Sequence, residues 1–232
     1  MDTFRMIWQG LDWTYPLEIL VSIIPALICI TFHETSHGRV AYWLGDPTAK
    51  RAGRLSLNPI KHIDWMGLAM MVVFHFGWAK PVPVNMLYFK NPKRGMALTA
   101  LAGPASNVLL TVVMLALFGP LYILSAMGIG GIAVELLMET VSTTAYLSMA
   151  FAVFNLLPVP PLDGAKILYS VLSDKAYYKL MIYEKYGMML MLILVATGIL
   201  GTPLSYVTEF LFDLLFPIAQ VTADWTFALM LG

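Results

Sequence analysis

Cysteine occurs once in 232 residues, at Cys29, inside an apolar stretch. That excludes a disulfide framework and a thiolate cluster of paired cysteines, so a bound metal would have to rely on histidine and carboxylate. Charge is equally scarce. Charged residues make up 12% of the chain and the formal net charge is zero, against about 25% charged in soluble proteins. Without a basic excess to neutralise phosphates, nucleic acid is excluded as a partner. The N-terminus also lacks the basic n-region and small-residue cleavage site of a secretory signal, so the first hydrophobic segment is expected to stay. No internal repeat or low-complexity tract is present.

What fills the chain is apolar: 59% of residues. A lipid bilayer is the implied surroundings, and the expected fold class is an all-α polytopic membrane protein forming one domain over 1–232. A bilayer core of about 30 Å needs about 20 apolar residues as helix. Leu17 to Leu44 meets this, with Pro25 inside, before Gly45, Asp46 and Pro47 end it. Met96 to Met127 and Ile132 to Leu157 are predicted to form a helical hairpin across a glycine-rich turn at 128–131. Residues 46–64 and 80–94 read as basic loops. Between them, 66–79 is too short to cross and is predicted to be a short re-entrant or strand-like membrane segment. After a basic loop at 166–185, the C-terminal membrane segments of 186–232 comprise a run at 187–200, a break at Gly201-Thr202-Pro203, and a run at 204–216 with a trailing tail. The bundle is expected to hold about four to six membrane segments.

Thirteen of the fourteen basic residues, all but Arg5, fall at 39–94 and 166–185. Lys and Arg in short loops stay on the cytoplasmic side, which puts these loops inside and the N-terminus outside. A prokaryotic cell membrane is the expected location.

The first span contains His33-Glu34-Thr35-Ser36-His37. Two histidines four apart share a helical face and can bind one cation, and Glu34 sits where it can act as general base on the attacking water. Three ionisable groups within five residues each cost roughly 2.5–3.5 kcal/mol at the bilayer centre. Such a cluster points to function, and zinc suits two imidazoles plus one oxygen ligand with an open fourth position. Asp163 is the best third ligand: Pro158, Pro160 and Pro161 break the helix before it, and Gly164 is expected to permit an unusual backbone angle beside it. The alternative is that Asp163 caps a helix starting at 164. His62 and His75 are rival ligands; the first reads better as a solvated or interfacial loop residue, the second as a histidine bonded to a backbone carbonyl. Asn107, a buried amide, must find partners. Both His37 and Asp163 fall near the cytoplasmic ends of their segments, so the active site is expected to face that side.

Together, the HETSH motif, Gly103-Pro104-Ala105-Ser106-Asn107, Asn155-Leu156-Leu157-Pro158-Val159-Pro160-Pro161-Leu162-Asp163-Gly164 and Gly77-Trp78-Ala79-Lys80-Pro81-Val82-Pro83-Val84-Asn85 resemble the site-2 protease family of intramembrane zinc metalloproteases. The likeness covers a catalytic core of about 17–170 and suggests the compact prokaryotic type without added soluble domains. It implies one zinc per chain held by His33, His37 and Asp163, with Glu34 as catalytic acid and base, Asn155 beside the metal and Asn107 in a positioning role. The implied reaction is hydrolysis of a peptide bond in or near a transmembrane helix of a membrane-protein substrate. Self-association into a homo-oligomer is left open. Two rival classes are weighed. An ion or proton transporter would use the same His, Glu and Asp groups as a relay, but titratable groups are missing from the outer half of the bilayer. A scaffold with a structural metal would need four protein ligands, and three can be named.

Overall fold

The computed structural model describes residues 14–74 and 77–231, so His75 and the acidic and basic residues before Thr14 lie outside the described part. Every regular element among the described residues is helical. The HETSH run lies within α1, Thr14–Trp43, a 30-residue helix with Pro25 inside it. At 1.5 Å per residue it reaches about 45 Å, longer than a bilayer core. The basic stretch that follows holds a single turn, α2 (Thr48–Arg51), and a 3-10 turn at Pro59–His62.

The described residues of 66–79 form no strand. Trp65–Phe74 is a ten-residue helix, α3, whose first turn is capped by the Asp64 carboxylate accepting from Met66 and Gly67 N–H. Ten helical residues cannot cross a bilayer. From Gly77 the chain has no regular secondary structure until a 3-10 turn at Met86–Tyr88.

The next helix, α4, runs Pro92–Ala126 and begins four residues before the predicted start. Asn91 explains the difference: its side chain accepts from Arg94 N–H at 3.1 Å, and Pro92 at the first helical position loses no hydrogen bond. Lys93 and Arg94, expected in a loop, therefore occupy the first turn. The predicted hairpin is present, with α5 at Gly131–Asn155. Its turn needs glycine, because Gly128, Gly130 and Gly131 all have positive φ (72°, 84° and 51°), which other residues adopt at a cost.

Short helices α6 (Asp163–Ser170) and α7 (Asp174–Tyr183) follow, then α8 (Gly187–Ala196), α9 (Gly201–Leu215) and α10 (Pro217–Leu231). The expected tail after 216 is helix instead. Residues 217–231 carry one charge, Asp224, and proline at the first position of α10 is compatible with helix. Three stretches among the described residues are long and apolar enough to cross a membrane: α4, α5 and the continuous α9–α10 run. Helix α4 is the centre of the bundle, touching α1, α5, α6 and α10. Leu109 on α4 and Leu214 on α9 are each 64% exposed. Apolar surface of this kind is a liability in water and a match for lipid.

Candidate metal centre

Helical periodicity places His33 and His37 one turn apart on α1, and both face α4 and α6. Their Nε2 atoms are 3.0 Å apart, and each lies 3.0 Å from Asp163 Oδ2. Three potential ligand atoms thus form a triangle with equal sides. All three residues are buried, and among the described residues they are the group able to hold a metal ion.

The local sequence explains how Asp163 reaches this point. Helix α5 ends at Asn155 and the chain turns through Pro158, Pro160 and Pro161 before α6 starts at Asp163 itself. The cap position is Leu162, with no side-chain cap, so the Asp163 carboxylate is not a helix cap. Gly164 does not have positive φ. Its role is space: a Cβ there would lie 2.2 Å from the Leu156 carbonyl oxygen. This close approach, rather than an unusual backbone angle, lets the start of α6 pack on the end of α5.

His37 Nδ1 donates to the Thr99 carbonyl at 2.7 Å. A carbonyl can only accept, so in neutral His37 the proton is on Nδ1 and the Nε2 lone pair points at the triangle. An anionic oxygen and an imidazole lone pair held 3.0 Å apart repel unless something positive lies between them. The donor set, two nitrogens and one oxygen with no thiolate, is that of a catalytic zinc site.

Glu34 is not part of the triangle. Its Oε2 accepts the Val82 backbone N–H at 2.7 Å, leaving Oε1 free. Glu34 and the triad line one cavity of about 300 Å³ that also takes in Val82, Asn155 and Lys166. Asn155 lines that cavity, although its Nδ2 donates to the Phe151 carbonyl at 2.9 Å on its own helix. Lys166 Nζ is 3.8 Å from Asp163 Oδ1, the oxygen turned away from the histidines.

Asn107 is fully buried, and the structure does not bring it to the triad. Its backbone carbonyl accepts from Thr111 and Ser148 hydroxyls, while its side-chain atoms have no hydrogen-bond partner among the described residues. His62, expected to be solvated or interfacial, is 1% exposed. Its Nε2 donates to the Ser56 carbonyl at 2.8 Å, which gives it a partner away from the triangle.

Gly103 is a residue that side-chain chemistry could not flag. A Cβ there would lie 2.5 Å from His33 Cε1 and from both Cε1 and Nε2 of His37. Gly103→Ala is expected to lower zinc affinity by at least about tenfold, as loss of a ligand-orienting contact does, while α4 itself gains from alanine's better helix propensity. Metal titration beside circular dichroism checks it; full affinity in this variant would mean that the imidazoles can shift without cost.

The family model described as peptidase family M50 matches residues 117–200. The chain is 39% identical over 186 residues to YwhC of Bacillus subtilis, which carries a zinc-metalloprotease designation, and the match spans 79% of this chain and 84% of the relative. Rip2 of Mycobacterium tuberculosis H37Rv, similarly designated, is 28% identical over 221 residues, spanning 89% and 80%. MJ0611 of Methanocaldococcus jannaschii, likewise, is 30% identical over 165 residues, spanning 67% and 75%. No solved structure matches.

Proposed function

This chain belongs to the M50, or site-2 protease, family of zinc metalloproteases, and from that premise we propose how its own residues divide the work. It is an intramembrane zinc metalloprotease, and its substrates are membrane proteins. The observation that carries the site assignment is the triangle of His33, His37 and Asp163 ligand atoms beside the Glu34 carboxylate.

His33, His37 and Asp163 hold the zinc. When bound, the ion supplies Lewis acidity to the scissile carbonyl and to the attacking water. Glu34 takes the water proton on its free oxygen and passes it to the leaving amine. Asn155, after rotating away from Phe151, donates to the oxygen of the carbonyl under attack as negative charge develops there. Thr99 keeps His37 in the tautomer a ligand requires, and Lys166 offsets the outer oxygen of Asp163. A helical peptide bond is shielded by its own hydrogen bonds, so the substrate must unwind locally to enter the cavity. The 66–79 segment and the loop at Asn85 are the candidates for holding it extended, by strand addition.

The test is proteolysis in sealed vesicles. The purified protein should cleave a co-inserted transmembrane substrate, lose that activity on chelation and regain it with zinc. Zinc-dependent ion flux across the same vesicles without cleavage would favour the transporter class instead.

We further read α1, α4, α5 and α9–α10 as four crossing segments, with α3 lying short of a crossing, and the zinc site as opening to the cytoplasm. The segregation of basic residues supports this direction. With Cys29 replaced, single cysteines at Leu57 and Ser173 should react with a membrane-impermeant thiol reagent only once the inner face is exposed, and one at Ile129 should react in intact cells. The opposite labelling pattern would invert the topology.

A further inference from the structure

The stretch from Lys80 to Asn85 lines the cavity through Pro81, Val82 and Val84, and its backbone is tied at three points. At its start, Lys80 N–H donates to the His62 carbonyl at 3.0 Å, while the Lys80 carbonyl accepts from Arg54 Nη2 at 2.6 Å. At its end, Asn85 N–H donates to Asp46 Oδ2 at 2.6 Å. In the middle, Val82 N–H holds Glu34. Asp46 is fully buried; its other oxygen accepts from the Thr48 N–H at 2.9 Å and from the Thr48 hydroxyl. Arg54 is also buried.

Buried charged side chains are costly to retain, and here both are used on backbone groups at opposite ends of one short segment. Proline on each side of Val82 fixes φ and removes competing donors, so Val82 offers the sole N–H between 81 and 83. The Val82 side chain is also packed down: a Cβ on Gly38, one turn beyond Glu34, would lie 3.0 Å from Val82 Cγ1. The segment is therefore a strap held at both ends, whose central amide reaches the carboxylate that accepts the water proton.

We propose that Asp46 and Arg54 are positioning residues for proteolysis: by pinning the two ends of the Lys80–Asn85 strap they hold the Val82 amide on Glu34 and so fix the general base beside the zinc ligands. A base must lie within hydrogen-bond reach of the proton that it removes, and a small misplacement is costly to rate. An oxygen anchored by Val82 leaves Glu34 one oxygen for the water. This rests on the reading of Glu34 as the base.

The experiment uses the zinc-loaded full chain and its membrane substrate. Asp46→Ala and Arg54→Gln should each lower kcat by about 10- to 100-fold, the scale of catalytic misplacement, with KM within about twofold and zinc content unchanged. Asp46→Asn, which keeps an accepting oxygen, should recover part of the loss. Val82→Pro removes the amide directly at a position that a following proline already holds extended. Combining it with Asp46→Ala should add no further loss, because the two changes break one linkage. Hydrogen exchange at Val82 N–H should speed up in Asp46→Ala, a readout independent of turnover. Unchanged kcat in Asp46→Ala, additive losses, or higher activity as if a gate had opened would each overturn the proposal. Undiminished activity in Glu34→Gln would instead remove the reading beneath it, and the Val82 exchange rate would then report whether the clasp itself exists.

Discussion

Glu34→Gln is expected to retain a full complement of zinc and to lose about 100- to 10,000-fold in proteolysis, the range that a positioned general base contributes. The amide preserves the size of the side chain, and its oxygen can still accept the Val82 N–H now made to Oε2 at 2.7 Å. The strap should stay in place. What vanishes is the capacity to take a proton, so the loss falls on kcat while substrate binding persists. Metal analysis and a cleavage assay on the same preparation check both halves. Loss of zinc would make Glu34 a ligand, contrary to its position outside the triangle of His33, His37 and Asp163.

The contrast between what Glu34 and Val82 contribute also explains how far the site could be read in advance. His33, Glu34, His37 and Asp163 stand out in sequence because each is an ionisable group among apolar residues, where its cost in lipid demands a reason. The spans around them follow from hydrophobic length, and the α4–α5 hairpin from glycines that tolerate positive φ. Val82 and Thr99 act through backbone groups, and Gly103 through the absence of a Cβ; none leaves a side-chain signature. Gly164 was legible as special, but for the wrong reason, since close approach to Leu156 and unusual φ call for the same residue. His62 misleads in another way. Its basic neighbours suggest water, while the Ser56 carbonyl that buries it is a tertiary partner 6 residues away. Lys166 could have been found, because a residue three after Asp163 in a helix lies on the same face.

Asp163→Ala should abolish zinc binding, as should His33→Ala and His37→Ala, whereas His62→Ala and His75→Ala should leave the zinc content intact. Three protein ligands and an open position make a catalytic site; removing any one leaves two, and affinity should fall well beyond the 10- to 100-fold that loss of a supporting contact costs. Asp163 is the decisive case, because it comes from a different part of the chain and carries the negative charge of the set. Its Oδ2 lies 3.0 Å from both histidine Nε2 atoms, and among the described residues it is the carboxylate that completes the group. Asp163→Asn sharpens the test. It keeps the shape and one oxygen but removes the charge, and it should bind zinc weakly where alanine does not bind it at all. Metal content after dialysis against a weak chelator, read beside thermal unfolding, separates loss of the ion from loss of the fold. Normal zinc in Asp163→Ala together with zinc loss in His75→Ala would move the third ligand to His75.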